Sequence, residues 1–96
     1  MRFEWDEAKN RRNLGKHKIS FETAKQVFED PYALSLQDRV ISGEERWQTL
    51  GIVDRVIVVL VAHTYREAGG DEVIRIISAR KATSQERRAY EESHEG

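Results

Sequence analysis

Five cationic side chains and one acid lie between Arg75 and Tyr90, on a chain whose formal net charge is −1. Arg75, Arg80 and Lys81 sit on or just beyond the β-branched stretch EVIRIIS, and Arg87 and Arg88 follow in the capped segment TSQERRAY. Guanidinium groups stay protonated at neutral pH and present forked donors that match phosphate oxygens. A cationic seam on a near-neutral protein points to an anionic partner, and RNA is the leading candidate. A second basic block, Lys9, Arg11, Arg12, Lys16 and Lys18, contains no acid, whereas the acids gather at Asp30, Asp38, Glu44 and Glu45 and again at Glu91, Glu92 and Glu95. The two basic segments either converge on one face or form two separate solvated faces. Phosphate attraction depends on the local field more than on net charge.

Three further groups have chemistry to offer. Arg46 lies in GEERW beside Glu44, Glu45 and Trp47; neighbours on a strand point to opposite faces, so Glu45 and Arg46 are not automatically a pair. His63, in VAHTYR, is either a proton acceptor or a hydrogen-bonded structural residue. Strict alternation puts Val73, Arg75, Ile77 and Ala79 on one strand face and Ile74, Ile76, Ser78 and Arg80 on the other. Each Arg is then paired and structural, or presented at a cleft. His17, His63 and His94 lack ligand spacing and there is no Cys, so no metal site is expected. Gly69-Gly70 reads as a hairpin turn, not a phosphate loop, and Ser35, Ser42 and Ser78 lack a nucleophile-elbow context. A metal-free phosphodiesterase needs cations to offset phosphate charge and groups that move protons.

The elements that must position these residues follow from local signals. Arg2 to Trp5 alternates as a short strand; Asp6 caps a polar helix to about Leu14, with Gly15 at its end and light packing through Ala8 and Leu14. Ser20 caps a second helix, Ile19 packs on Ala24 as a staple, and Phe21, Ala24, Val27 and Phe28 share a face. Asp30-Pro31 stops it. Leu34 and Leu36 alternate with polar residues; Asp38 to Glu44 is a polar loop; Arg46 to Val53 is a strand anchored by Trp47, Leu50 and Ile52. Asp54-Arg55 is a tight connection, Val56 to Tyr65 a central strand, and Val73 to Ala79 the last strand. Thr83 and Glu86 form a capping box for a final helix. The order is β-α-α-β-β-β-β-α, an antiparallel meander with helices covering one face, hence an α+β single domain over residues 1–96. Its composition, 39% hydrophobic and 34% charged, is that of a soluble globular chain. With no h-region in MRFEWDEAKN and no apolar run near ~20 residues, neither a signal peptide nor a membrane span is expected, and the expected location is cytoplasmic.

Three segments, FEWDEAKNRRNLGKHKISFETAKQVFEDP, GEERWQTLG and RIISARKATSQERRAYE, resemble in matching order the BrnT family of toxins from BrnT/BrnA toxin–antitoxin systems. The resemblance covers nearly the whole chain, and its closing segment is the most specific. It implies a RelE-like fold, metal-independent RNA cleavage without a cofactor, and neutralisation by a DNA-binding antitoxin of the ribbon-helix-helix type in a hetero-tetramer or larger assembly. One departure is visible: the family usually has Gly after the Lys-His pair, and here Lys16-His17 is followed by Lys18. By resemblance to RelE-like enzymes, the ribose 2′-OH attacks the adjacent phosphate and leaves a 2′,3′-cyclic phosphate. Arg46, Arg75 and Arg80 are the candidates for phosphate and transition-state stabilisation, and Glu45 or His63 for taking the proton. Lys16, Lys81 and Arg87 are candidates for holding the RNA backbone; Tyr90 either stacks a base or packs in the core. Rival readings are a non-catalytic RNA- or protein-binding module and a partner whose basic seam docks an acidic protein.

Overall fold

The computed structural model describes residues 1–93, so His94 and Glu95 lie outside the described residues. Strand β1 (Arg2–Glu4) leads into helix α1 (Glu7–His17), the short helix α2 (Phe21–Ala24) and a 3-10 helix (Lys25–Glu29). Strands β2 (Leu34–Ile41), β3 (Glu44–Val53), β4 (Ile57–Ala68) and β5 (Asp71–Lys81) follow, then helix α3 (Ser84–Ser93). The expected element order holds. The sheet runs β1-β5-β4-β3-β2, with the last four strands antiparallel and β1 added parallel to β5. No helix among the described residues is long and apolar enough to cross a membrane.

Local chemistry sets the helix starts. The Asp6 carboxylate accepts from Lys9 N and the Ser20 hydroxyl from Thr23 N. Thr83 and Glu86 cap each other, Glu86 N donating to Thr83 Oγ1 and Thr83 N to Glu86 Oε1. The first helix ends differently from expectation. It runs through Gly15 to His17, and Lys18 itself takes the left-handed conformation at φ 62°, its N–H donating to Leu14 O. The expected loop at Asp38–Glu44 is mostly strand, closed by a tight turn in which Ser42 and Gly43 both have positive φ. That conformation suits a two-residue hairpin.

The helices do not all cover one face. Phe21, Ala24 and Val27 pack with Val53, Val59, Val61, Ile74, Ile76 and Ala79, whereas Tyr90 of α3 packs with Leu50, Val58 and Leu60. Val59 and Val61 alternate with Val58 and Leu60, so α3 lies across the sheet from α1 and α2. Gly51 permits the 3-10 helix to approach β3 closely, since a Cβ there would sit 2.8 Å from Val27 Cγ1 and 2.9 Å from Val27 O.

Helix α1 packs through amides, not through Leu14, which is 48% exposed. Beyond Arg75, β5 has no β1 partner, and the buried Asn13 takes that place. Its Nδ2 donates to Ala79 O at 2.8 Å and Ile19 O at 2.9 Å, and its Oδ1 accepts from Ala79 N at 3.1 Å. Asn10 similarly accepts from Phe21 N at 2.8 Å. A helix with almost no apolar stripe is thus fastened to the sheet edge by side chains that complete backbone hydrogen bonds.

Candidate phosphate-binding site

A β-bulge decides which basic residues meet. Ala62 pairs with Ser78 and His63 with Ile76, leaving Ile77 as the extra residue on β5. Ile76 and Ala79, three residues apart, consequently pack in the same core cluster. The alternation read from the sequence breaks there, and Arg75 and Arg80 come to the same face, the one that carries α3. On it Arg46, Thr64 and Arg75 stand directly opposite one another across β3, β4 and β5, with Arg39 of β2 opposite Arg46. Gln48, Ala62 and Ser78 form the next row but one residue pair along, and Leu50, Leu60 and Arg80 the row after that.

The first row is electrostatically unfinished. Among the described residues, the buried side-chain polar atoms without a hydrogen-bond partner are Arg46 Nε, Thr64 Oγ1 and Arg75 Nε, all in this one row. Leaving such a group unpaired costs about 1–3 kcal/mol, more when it is charged. Arg46 and Arg75 also line a concavity of about 110 Å³ with Asp6 and Lys9. A guanidinium nitrogen of Arg75 donates to Glu44 Oε1 at 2.5 Å.

The remaining sequence candidates separate. Glu45 is exposed, accepts from Trp47 Nε1 at 3.3 Å, and lies on the opposite side of β3 from Arg46. The carboxylate that meets the arginine row is Glu44, one residue earlier. Its signal was available in the sequence, since Glu44 and Arg46 share strand parity. His63 is 4% exposed and also faces away, under Phe28, with ring centroids 4.9 Å apart. Its Nδ1 donates to Thr64 O at 3.1 Å, so Nε2 accepts from the Thr49 hydroxyl at 2.8 Å. Burial lowers its pKa, partly offset by the Thr64 carbonyl. His63 therefore stands apart from the arginine row, with both ring nitrogens engaged, and lines a concavity of about 310 Å³ with Phe28, Thr49 and Tyr65 on the other face of the sheet.

Arg80 is in a bidentate pair with Glu86, at 2.8 and 3.0 Å, and so ties α3 to β5. It stands four residue pairs from the first row, about 13 Å along the sheet at ~3.3 Å per residue. The Arg80 hydrogen bonds, opposed by desolvation and aided by Thr83 N, hold Glu86 down at a pKa of about 2. The unfolded carboxylate titrates near 4.5, so the stabilisation is complete above that value and is lost as pH falls towards 2. Glu86→Gln is expected to shrink the acid dependence of thermal unfolding in this window. An unaltered acid limb of the melting curve would refute it.

Tyr90 does not present a stacking surface. It is 4% exposed in the second core cluster, and its hydroxyl donates to Asp30 Oδ2. Burial, then the Asp30 contact, pushes its pKa up to about 12. Lys81 and Arg87 line another concavity, of about 220 Å³, with Val56 and Val58. Lys16 joins Lys9 and Arg12 on α1 beside Ile77 and Ser78. Three of the five cations of the N-terminal basic block, Lys9, Arg12 and Lys16, therefore flank β5.

The family described as the ribonuclease toxin BrnT of type II toxin–antitoxin systems matches residues 5–86. The chain is also similar in structure to the Brucella abortus ribonuclease toxin BrnT, with a TM-score of 0.66 and 24% sequence identity, covering 88% of this chain and 99% of that one. At that identity the likeness speaks for the fold. No curated protein matches.

Proposed function

Because this chain belongs to the BrnT family of ribonuclease toxins of type II toxin–antitoxin systems, we propose that it is a metal-independent endoribonuclease whose Arg46–Thr64–Arg75 row receives the scissile phosphate. The row supports this through its three unpartnered donors, gathered where two guanidinium groups flank one hydroxyl. Charge builds on the phosphate oxygens as the 2′-oxygen attacks, and preorganised donors aimed at those oxygens lower the barrier. The P–O5′ bond breaks, giving a 2′,3′-cyclic phosphate and a 5′-hydroxyl. Glu44, in reach of the same phosphate through its contact with Arg75, takes the 2′-OH proton, and water returns one to the departing oxygen. Arg80 acts indirectly, by holding α3 through Glu86.

On this reading the fold is of the RelE kind and the protein acts in the cytoplasm, where cutting RNA stops translation and growth. Its antitoxin is DNA-binding, of the ribbon-helix-helix type, and holds two or more toxins by dimerising. Coverage of the arginine row or of exposed Arg88 on α3 would silence it; Tyr90 is no anchor, because it is already buried.

The test is direct. Purified protein is incubated with single-stranded RNA in EDTA, and fragments with cyclic-phosphate and 5′-OH ends are expected to accumulate with time. RNA that shifts reversibly but stays intact, with and without ribosomes, would leave a binding module in place of a nuclease.

A further inference from the structure

We propose that one face of α1 is a track for the phosphates of single-stranded RNA: Lys9, Arg12 and Lys16 hold the strand on one side of the phosphodiester seated at Arg46 and Arg75. The proposal rests on the ribonuclease reading for its starting point and adds to it the direction in which substrate leaves the site.

Position comes first. Spacings of three and four residues put the three cations on one helix face, advancing about 10 Å from Lys9 to Lys16 at ~1.5 Å per residue. Continuity is the second observation. The concavity that holds Arg46 and Arg75 is lined also by Lys9 and Ile77. Those two residues also line the neighbouring concavity of about 310 Å³, which contains Arg12, Lys16 and Ser78. The bulge at Ile77 is thus the floor of an unbroken path from the arginine row to the end of α1.

The heads of these side chains are also available. Arg66, Arg75 and Arg80 each have a carboxylate within 4 Å, whereas none of Lys9, Arg12 and Lys16 forms an ion pair among the described residues. The track is held in place, since Asn10 and Asn13 fix the adjacent side of α1 to Phe21 and Ala79. Asp6 is the nearby acid, acting on the side-chain charges of Lys9 and Arg12 without contact. A rigid row of cations outside any ion pair suits a polyanionic strand better than an acidic protein side chain, because phosphates recur along the strand as the cations do along the helix. Single strands fit for a further reason: the 2′-oxygen must rotate in line with the P–O5′ bond, which a stacked duplex resists.

The competing path runs over α3, past Lys81 and Arg87. The two are separated by measuring affinity for an uncleavable 2′-O-methyl oligonucleotide at several salt concentrations, which needs no catalysis. Each phosphate contact contributes about 0.7 to the slope of log K against log salt for single strands. The Lys9→Ala/Arg12→Ala/Lys16→Ala protein, checked for an unaltered melting temperature, is expected to lose about 2 from that slope. Arg11 lies roughly 200° round the helix from Lys9; an equal loss in Arg11→Ala/Lys18→Ala would reveal a diffuse field and overturn the track. A wild-type slope in the triple variant, with the loss appearing in Lys81→Ala/Arg87→Ala, would overturn it in favour of the α3 path. Wild-type protein that cleaves nothing while the triple variant still loses its slope would defeat the nuclease reading and leave the track standing.

Discussion

Arg75→Ala is expected to lower RNA-cleavage turnover by about 10² or more, the scale of losing one key transition-state donor, in a protein that remains folded. Arg75 combines the features that make such a donor effective. Its Nε is buried without a partner beside Thr64 Oγ1, and its terminal nitrogen is positioned by Glu44. Donors already desolvated and oriented do not reorganise as charge develops, so their full interaction is realised in the transition state. Arg46→Ala should behave alike, and the double variant should lose far less than the product of the single losses, because two arginines on one phosphate act as a unit. Arg75→Lys retains charge but not the fork; wild-type turnover in that variant would mean that only a positive field matters. Arg80→Ala should show instead a lower melting temperature, since Arg80 is occupied by Glu86. If Arg75→Ala kept its activity while Arg80→Ala folded normally and lost it, the phosphate would have to be moved along the sheet.

The largest effect on stability is expected at a polar residue of a polar helix. Asn13→Ala leaves Ala79 N, Ala79 O and Ile19 O without their partner. At about 1–3 kcal/mol for each buried group left unpaired, the loss is about 3 kcal/mol or more. For a domain of this size, that corresponds to a fall in melting temperature of roughly 15 °C. Leu14→Ala is the natural comparison, because Leu14 is 48% exposed and its removal should cost little. Thermal denaturation of the two variants decides the matter. A drop below about 1 kcal/mol for Asn13→Ala would show that water replaces the amide, and that α1 is held in another way.

Much of the local architecture was legible because it is written in groups a few residues apart. The caps at Asp6, Ser20 and Thr83–Glu86 are each satisfied within three residues, so their residue types alone specify where a helix begins. The turn at Gly69-Gly70 and the stop at Asp30-Pro31 are similarly local. Strand periodicity identified the meander, and the three quoted motifs identified the family.

The site was legible only in part, since the types of its residues are in the sequence while their company is set by partners far along the chain. Arg46 and Arg75 stand out in the sequence as candidate cations, but the row they make depends on strand pairing through Thr64. Glu44 and Glu45 are adjacent acids; strand parity groups Glu44 with Arg46, and the pairing of β3, β4 and β5 then brings it to Arg75. Asn10 and Asn13 carry no apolar signal, and their worth comes from backbone groups of Phe21 and Ala79 that the fold brings to them. Lys18 adopts a left-handed conformation that its residue type does not favour, because the chain must turn there for Ile19 and Phe21 to reach the core. The bulge at Ile77 is the clearest case. The composition and alternation of β5 determine that it is a strand with two arginines; the place where one residue drops out of register is settled by the fit of β5 against β4 and of α1 against its open edge, and that fit alone brings both arginines to one face.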